Sequence, residues 1–278
     1  MINTINLNLN YDDPIKIAEN IYWVGFYDEE TGLHCNPYLI VDGDEAVVID
    51  GGSRPDFPTV MTKILKTGTD PSAIRGLIYH HYDPDLCGSV SDYEDIIERD
   101  DLRIMSALEN NFFIRHYGPS STLVDIAEFN DRFTFKSGRV LEFIRTPYAH
   151  SAGSFITFDE LSGVVFTSDL FGSYGKQWEL FIGLDDACRT CDTHEECPQS
   201  KIYCPIVDIL TFHQMIMPSG KALRHAIRQI LKTPAGMVAP QHGSVIPVEQ
   251  DFRTIGARLM DLKGVGIDRI ITDEGDAR

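Results

Sequence analysis

The segment YHHYDPDLCG, residues 79–88, is the feature that most constrains what this chain can fold into and do. It follows the apolar run IRGLIY and brings two histidines and two aspartates into six consecutive positions. Pro84 disfavours helical geometry at the preceding residue, so we expect Asp83 to be extended. In an extended backbone residues two apart point to the same side, which would group His81, Asp83 and Asp85. The alternative is a polar surface loop that binds nothing.

Other apolar strands of the chain are also followed by residues that commonly bind metals. TPYAHSAGS carries His150 in a turn rich in glycine and serine, VVFTSDLFG ends on Asp169, and MVAPQHGS ends on His242. Chemistry in α/β proteins usually lies at strand ends. A lone histidine after a strand is more often a hydrogen-bonded structural residue, but the recurrence predicts a metal site. Imidazole combined with carboxylate suits iron, manganese or zinc.

Composition and charge exclude several classes of partner. The chain has 278 residues, of which 43% are hydrophobic, and this is enough to bury a substantial core. Its 24 basic and 42 acidic residues give a net charge of −18, which argues against nucleic acids and anionic membranes as partners. No apolar run approaches the roughly 20 residues that span a bilayer, and the polar N-terminus does not resemble a signal peptide. We therefore expect a soluble, cytoplasmic protein.

Hydrophobic periodicity predicts a mixed α/β fold. YLIVDGDEAVVID reads as a hairpin around Asp42-Gly43, and residues 21–27 as a strand. Further strands are predicted at IRGLIYH, LRIMSA, VVFTSD and GMVAP, and helices at FPTVMTKILKTG, GSVSDYEDIIERD, ALRHAIRQILKT and VEQDFRTIGARLMDLKG. Strands are paired early and alternate with helices later, which favours mixed sheets covered by helices. Residues 172–215 are predicted to be irregular.

The order of these motifs resembles the metallo-β-lactamase superfamily. His-x-Asp-x-Asp is followed by TPYAHSAGS, FTSDLFG and PQHG, and within the superfamily this order is most similar to the diiron domain of flavodiiron proteins. IYWVG, YLIVDGDEAVVIDGG, FTSDLFGSYG and MPSGKALRHAI carry the same resemblance, which covers about residues 15–250. It implies an α/β fold of the metallo-β-lactamase type, an αββα four-layer sandwich. It further implies one diiron domain over residues 1–278, with 172–215 as an inserted loop region.

Carried over position by position, the resemblance implies two iron ions with six protein ligands. In chain order these are His81, Asp83, Asp85, His150, Asp169 and His242. Asp169 would bridge the two ions, Asp85 and His242 would hold the second ion, and the other three residues would hold the first. Three carboxylates against two divalent ions leave about one positive charge, which a bridging hydroxide would neutralise.

Five further residues are predicted to lie around these ligands or in the core beside them. Asp50 closes VVIDGG and resembles a superfamily aspartate that supports the metal-binding loops through hydrogen bonds. His34 and Tyr174 could line the pocket above the metals and hydrogen-bond a bound oxygen species. We expect His80 to be structural and to point away from the ligands, and Cys87 to pack in the core.

The sequence departs from the flavodiiron pattern in three respects. Asp83 stands where that family has glutamate, and Leu86 stands where it usually has a histidine, which would leave the second ion an open position for water or O2. No flavodoxin segment follows the core, so the resemblance implies no FMN and requires an external electron donor or a signalling partner. This combination is similar to the stand-alone oxygen-binding diiron proteins. A homodimer is also implied by the family.

Four cysteines lie within seventeen residues and suggest a second metal site. They are Cys188, Cys191, Cys197 and Cys204, here called the four-cysteine segment. The spacing C-x2-C-x5-C-x6-C lies on one continuous loop, which favours a [4Fe–4S] cluster over the paired short motifs of structural zinc. Zinc and redox-active thiols stay open as alternatives, and His194 could replace one ligand.

The sequence leaves three functions to be compared. The first is a non-haem diiron protein that binds and reduces O2, peroxide or NO. The second is a sensor, in which the same binding is coupled to a partner protein. The third is a dinuclear metal hydrolase that acts on a phosphodiester or a thioester through a bridging hydroxide. Asp83 disfavours hydrolysis, because the resemblance implies a second histidine at that position in the zinc hydrolases.

Overall fold

The computed structural model describes residues 9–191, 197 and 203–271, and its first sheet is built from the N-terminal half of the chain. The strands of this sheet, which pair in chain order, are β1 (Ile15–Ala18), β2 (Ile21–Trp23), β3 (Tyr38–Asp42), β4 (Glu45–Ile49), β5 (Ile74–Ile78), β6 (Arg103–Ser106) and β7 (Thr122–Asp125). Strands β1 to β4 are antiparallel, and β4 to β7 are parallel. The predicted hairpin is therefore confirmed. The strand predicted over 21–27 ends earlier, at Trp23, and Val24 and Phe26 continue beside residues 35–37 without a regular ladder.

The second sheet comes from the following part of the chain. Its strands are β8 (Arg132–Thr134), β9 (Val140–Arg145), β10 (Phe155–Asp159), β11 (Val164–Phe166) and β12 (Met237–Ala239). They pair in the order β12-β11-β10-β9-β8, and β11 with β12 is the parallel pair. The strands predicted at VVFTSD and GMVAP are confirmed as β11 and β12.

Helices cover the outer face of each sheet. They are α1 (Phe57–Lys66), α2 (Pro84–Cys87), α3 (Val90–Ile97), α4 (Leu108–Ile114), α5 (Asp186–Thr190), α6 (Pro205–Ile216), α7 (Gly220–Lys232) and α8 (Glu249–Asp261). The four predicted helices are confirmed as α1, α3, α7 and α8. The prediction that 172–215 is irregular is wrong for α6, which has twelve residues. Its sequence PIVDILTFHQMI is apolar around most of the helix, so it lacks the one-sided pattern that identifies a surface helix.

Three hydrophobic clusters define the layers. One lies between the sheets and contains Trp23 and Ile40 of the first sheet and Phe155 of the second. Another lies under α1 and α3, and the third lies under α6, α7 and α8. The protein is therefore the expected αββα four-layer sandwich. None of the helices in the described part of the chain combines the length and apolar character needed to cross a membrane.

This architecture brings several loops to one edge of the sandwich. Asp50 follows β4, and residues 79–83 follow β5 in the first sheet. In the second sheet Asp169 follows β11 and His242 follows β12, while His150 lies between β9 and β10. Because β4 with β5 and β11 with β12 are parallel pairs, their carboxyl ends meet at the same edge.

Candidate metal centre

Six side chains that sequence analysis selected as metal ligands come together at this edge. The set, here called the strand-end cluster, consists of His81, Asp83, Asp85, His150, Asp169 and His242. The ligand atoms of His81, His150 and Asp169 lie within 4.8 Å of one another. His242 and Asp85 form part of a second such group. The cluster is thus arranged as two neighbouring sets of ligand-type atoms.

The first set surrounds one carboxylate oxygen of Asp169. His150 Nε2 lies 3.0 Å from Asp169 Oδ2 and 3.3 Å from Asp83 Oδ2. His81 Nε2 lies 3.9 Å from the same Asp169 oxygen and 3.7 Å from Asp83 Oδ2. We call the space between His81, Asp83 and His150 the first metal position. Two imidazoles and one carboxylate on one side of a metal are typical of non-haem iron.

The second set faces the other oxygen of Asp169. His242 Nε2 lies 3.1 Å from Asp85 Oδ2 and 3.8 Å from Asp169 Oδ1. We call the space beside Asp85 and His242 the second metal position. Asp169 therefore turns Oδ2 toward one set and Oδ1 toward the other, which is the arrangement that a carboxylate bridging two ions requires.

Pro84 explains the positions of both aspartates around it, though not as sequence analysis expected. Asp83 has φ −69° and ψ 152°, so the predicted extended conformation is confirmed. Asp85, however, lies in the first turn of α2, which begins at Pro84, and the two-residue alternation does not extend to it. Proline favours the first position of a helix because its fixed φ suits the helix and its missing N–H is not needed there. The turn of α2 brings Asp85 to the second metal position.

Asp50 and His80 fix the backbone that leads into the cluster. His80 donates from its backbone N to Asp50 Oδ1 at 3.0 Å, and its Nδ1 lies 2.6 Å from Asp50 Oδ2. His80 Nε2 contacts Thr157 Oγ1 of the second sheet at 2.9 Å. His80 is fully buried and points away from the cluster, as predicted. The pair therefore ties the end of β5 to the end of β4 and to β10.

Two histidines of the cluster are oriented through their second ring nitrogen. His242 Nδ1 donates to the backbone oxygen of His34 at 3.2 Å, and His81 Nδ1 lies 2.9 Å from Ser168 Oγ. In both rings Nε2 is left facing the other cluster residues. Such outer contacts fix the tautomer and the ring orientation of metal-binding histidines. Ser168, next to Asp169, has φ +53°, a strained conformation of the kind found at functional sites.

Glycine follows His242 for a steric reason. Gly243 has φ +77°, in the left-handed region that side chains disfavour. A Cβ at this position would also collide with Ser173. The PQHG turn can therefore place His242 only with glycine after it.

Electrostatics in the cluster favour a bound cation. Burial lowers the pKa of His150, but hydrogen bonds to Asp169 and Asp83 and their charges raise it to about 10. Burial opposes ionisation of Asp169, yet the charges of His81, His150 and His242 hold its pKa well below the usual range. The carboxylates thus retain a proton on His150, and a metal ion would displace that proton on binding.

An unsatisfied polar atom provides an independent test of whether metal ions fit. Among the described residues, Asp169 Oδ1 is a buried side-chain atom that has no hydrogen-bond partner. Buried polar atoms are normally paired, and a missing ion is one explanation for exceptions. Nitrogen and carboxylate donors with short mutual distances fit divalent iron, manganese or zinc at both metal positions.

His34 and Tyr174, predicted to line the pocket above the metals, make hydrogen bonds within the protein. Asp28 donates from its backbone N to His34 Nδ1 at 2.9 Å, and His34 Nε2 donates to Gly175 O at 3.1 Å. Both ring nitrogens of His34 are therefore used, and it reaches His242 through its backbone oxygen instead. The Tyr174 hydroxyl contacts Met215 Sδ at 3.1 Å, and its role toward a bound oxygen species stays a prediction.

Sequence reasoning missed several residues that support the cluster. Asn36 Nδ2 donates to Pro240 O at 3.0 Å and to Gly243 O at 2.8 Å, and thereby holds the loop around His242. His213 of α6 is fully buried and accepts from Phe171 N at 3.1 Å. It thus fixes the loop that follows Asp169. Neither residue belongs to a motif, so no local signal could have identified it.

Cys35 was also missed as a neighbour of the cluster. It has a ligand atom within 4.8 Å of those of Asp85 and His242. The residue is buried, and Cys35 and His242 face each other in an isolated antiparallel β-bridge. No sequence pattern connects these two distant positions.

The four-cysteine segment is described only in part. Cys188 lies in α5, Cys204 precedes α6, and both pack against the hydrophobic cluster under the outer helices. Arg258 of α8 donates to the backbone oxygens of Cys188, at 2.7 Å, and of Cys191. Among the residues that the structure describes, two groups lie within mutual metal-binding distance, and the segment contributes to neither. A metal at these cysteines stays a prediction, and His194 lies outside the described residues.

Comparison with known proteins agrees with this architecture. Residues 33–243 match the family model described as ODP family beta lactamase. The flavo-diiron protein FprA2 of Clostridium acetobutylicum is 28% identical over 179 residues, which are 60% of this chain and 44% of that protein. The anaerobic nitric oxide reductase flavorubredoxin of Enterobacter sp. (strain 638) is 25% identical over 245 residues, 83% of this chain and 47% of that protein. The chain therefore spans about half the length of these curated relatives.

Solved structures share the fold over nearly the whole chain. The apo state of the chemotaxis sensor ODP from T. denticola superposes with a TM-score of 0.69 and 23% identity, covering 92% of this chain and 96% of the sensor. A structure of the peroxy diiron species of chemotaxis sensor ODP gives a TM-score of 0.69 and 21% identity, covering 92% and 97%. Since the matched family model spans most of the sequence and the folds agree, this protein belongs to the ODP family of beta lactamases.

Proposed function

We propose that the strand-end cluster holds two iron ions and that the protein binds O2, peroxide or NO there. The observation that carries the proposal is the position of Asp169, whose Oδ2 faces His81 and His150 while its Oδ1 faces His242. Ferrous ions, when bound, would supply the redox chemistry toward such ligands. The names of the relatives, which include a flavo-diiron protein, a nitric oxide reductase and a diiron sensor, point the same way.

Each side of Asp169 has its own role in the proposal. His81, Asp83 and His150 would hold the first ion, and Asp85 and His242 the second. The two imidazoles and the carboxylate at the first position favour iron over zinc, which suits a redox role better than hydrolysis. Asp169, with a strongly lowered pKa, supplies the negative charge between the two positive ions.

Exposure suggests where a small ligand would approach. His81 and Asp169 are almost fully buried, whereas the side chains of Asp83, Asp85 and His150 are 33%, 27% and 22% exposed. The cluster is therefore open on the side of these three residues. On the opposite side, Asp50 and His80 close it toward the core and hold the end of β5 in place.

The proposal covers two roles, a sensor and a reductase, because the relatives include the chemotaxis sensor ODP and the nitric oxide reductase flavorubredoxin. The external electron donor or signalling partner, the homodimer, the absence of FMN, the single domain over residues 1–278 and the cytoplasmic location stay predictions. So does the [4Fe–4S] cluster, or zinc, at the four-cysteine segment.

An anaerobic iron count with a defined exposure to O2 tests the proposal. The protein is purified without oxygen, loaded with Fe(II), and its iron and O2 uptake are measured per chain. The diiron site alone predicts two irons, and a [4Fe–4S] cluster in addition predicts about six.

Uptake of O2 that scales with the bound iron supports the proposal. Rapid repeated uptake with a reductant indicates a reductase, and a single uptake indicates a sensor. Retention of zinc in place of iron, together with phosphodiesterase activity, would contradict it in favour of hydrolysis.

A further inference from the structure

The two proposed metal positions are unequal in their protein donors. The first has His81, Asp83 and His150 in addition to the shared Asp169, while the second has only Asp85 and His242. Leu86, the residue after Asp85, packs fully buried in the hydrophobic cluster under α1 and α3. The second position therefore has one donor fewer than the first unless another side chain contributes.

Cys35 is the side chain that the fold brings to this position. Its ligand atom lies within 4.8 Å of those of Asp85 and His242, and the three residues form one of the two candidate metal groups among the described residues. Cys35 Sγ is 3.8 Å from His242 Nδ1, the ring nitrogen that also donates to His34 O, and the residue is 4% exposed. Unlike Cys87, it belongs to none of the three hydrophobic clusters.

The segment around Cys35 is fixed without using its thiol. His34 is held through both ring nitrogens, and Asn36 binds the loop on either side of His242. The Cys35 backbone oxygen accepts from Phe26 N at 3.3 Å. These contacts fix the backbone on both sides of Cys35 and leave its thiol beside His242, where it can act as a ligand.

Gln241, which hydrogen-bonds to Asp85, carries an unpaired buried polar atom, and this is a second observation next to the second metal position. Gln241 Nε2 donates to Asp85 Oδ2 at 3.1 Å, but Gln241 Oε1 is buried and has no hydrogen-bond partner among the described residues. Gln241 itself is 1% exposed. Buried amides normally satisfy both atoms, so a cation next to Asp85 would explain an acceptor that is left over.

We propose that Cys35 is a thiolate ligand of the second metal, together with Asp85 and His242. The inference rests on the proposed dinuclear centre and adds a donor that differs in kind from the others. A coordinating thiol loses its proton to solvent when the metal binds. Three carboxylates and one thiolate then balance two divalent ions, so the buried centre carries no net charge. A sulfur donor also favours iron, cobalt or zinc over manganese and magnesium.

Cobalt is a suitable probe because a thiolate bound to Co(II) gives intense charge-transfer absorption in the near ultraviolet. The full-length protein is loaded with Co(II) without oxygen, and spectra are recorded for wild type, Cys35→Ser and Cys87→Ser. Any contribution of the four-cysteine segment is common to all three proteins and cancels in difference spectra. We expect the wild-type minus Cys35→Ser spectrum to show the thiolate band. We expect the wild-type minus Cys87→Ser spectrum to show none, because Cys87 Sγ is bonded to His81 O instead.

Metal affinity gives a second readout that does not depend on absorption. In competition with a chelator, Cys35→Ser and Cys35→Ala should hold the second Co(II) at least about tenfold more weakly, with the first unchanged. Cadmium-113 NMR of the wild type covers the case in which both variants fail to fold. A cadmium signal in the range of one sulfur with nitrogen and oxygen donors is expected.

The outcomes separate this inference from the proposed function. The number of Co(II) ions in the strand-end cluster is the difference in Co(II) content between wild type and Asp169→Ala. Two such ions with no Cys35-dependent band, or with cadmium signals that lack the mixed-donor resonance, would overturn the thiolate and leave the dinuclear centre standing. Fewer than two such ions would overturn both together.

Discussion

The strand-end cluster and the four-cysteine segment were both predicted to bind metal, but they differ in how their ligands are distributed along the chain. Ligands of the cluster come from separate loops, each fixed by buried strands and hydrogen bonds such as those of Asp50 to His80. The four cysteines lie on one short stretch, and in the described part of the chain they form no group within metal-binding distance. Rigid strand ends can assemble a site before the metal arrives, whereas ligands on one loop depend on the metal to gather them.

The largest effect is expected from Asp169→Ala. Removing the carboxylate that faces both metal positions should lose both cluster metals, while any metal at the four-cysteine segment is retained. Metal analysis of the Fe(II)-loaded protein measures this. Asp101→Ala, at an exposed carboxylate paired with Arg99, is the control and should keep full metal content. Two cluster metals retained in Asp169→Ala would contradict the bridging role.

A large loss of stability is expected from Asp50→Ala in the metal-free protein. The change leaves His80 N and Nδ1 buried without their acceptor, which should lower the free energy of unfolding by about 3 kcal/mol. Urea unfolding in the presence of a chelator measures it. Asp44→Ala, which removes an exposed ion pair with Lys136, should leave the urea midpoint unchanged. If Asp50→Ala also left the urea midpoint unchanged, the hydrogen bonds between Asp50 and His80 would not stabilise the metal-free protein.

The burial of His213 in α6 predicts that the stability of the protein depends on pH. Burial lowers its pKa from 6.5 to about 4, although a hydrogen bond to Ile209 O opposes the shift. Between these pH values the unfolded chain takes up a proton that the folded protein does not. The free energy of unfolding should therefore fall by up to about 3 kcal/mol as the pH decreases from 6.5 to 4.

Urea unfolding of metal-free wild type and His213→Gln over this pH range isolates that contribution. The variant should be less stable at neutral pH, because Phe171 N loses its acceptor. Its stability should nevertheless depend less on pH than that of the wild type. If the free energy of unfolding changed equally with pH in both proteins, His213 would not account for the acid sensitivity.

The smallest effect on the cluster is expected from Cys191→Ser. This change should remove whatever metal the four-cysteine segment holds and leave the two cluster metals in place. Metal analysis and iron spectroscopy before and after the change distinguish the two sites. Loss of cluster iron in Cys191→Ser would contradict the view that the two sites are separate, because it would show that the segment helps to build the strand-end cluster.

Sequence patterns predicted the features that depend on local chemistry. Alternation, turns and caps identified the β3–β4 hairpin and the helices α1, α3, α7 and α8. The ligand-type residues at strand ends were recognised because parallel strands bring their carboxyl ends together. Pro84 correctly made Asp83 extended, but its preference for starting a helix decided the position of Asp85.

The missed features depend on contacts between distant parts of the chain. Cys35 meets His242 across 207 residues, and Asn36 meets Gly243 across the same separation. His213 reaches Phe171 only because α6 folds back against the loop after Asp169. Helix α6 was missed because burial on most sides removes its amphipathic pattern. No window of sequence contains both members of these contacts, so residue patterns could not predict them.

The most direct test of the account is anomalous diffraction from crystals of the Fe(II)-loaded protein grown without oxygen. We expect two iron peaks at the strand-end cluster, one beside Asp169 Oδ2 with His81 and His150, and one beside Asp169 Oδ1 with His242. A single peak, or iron located away from Asp169, would contradict a dinuclear centre bridged by this residue.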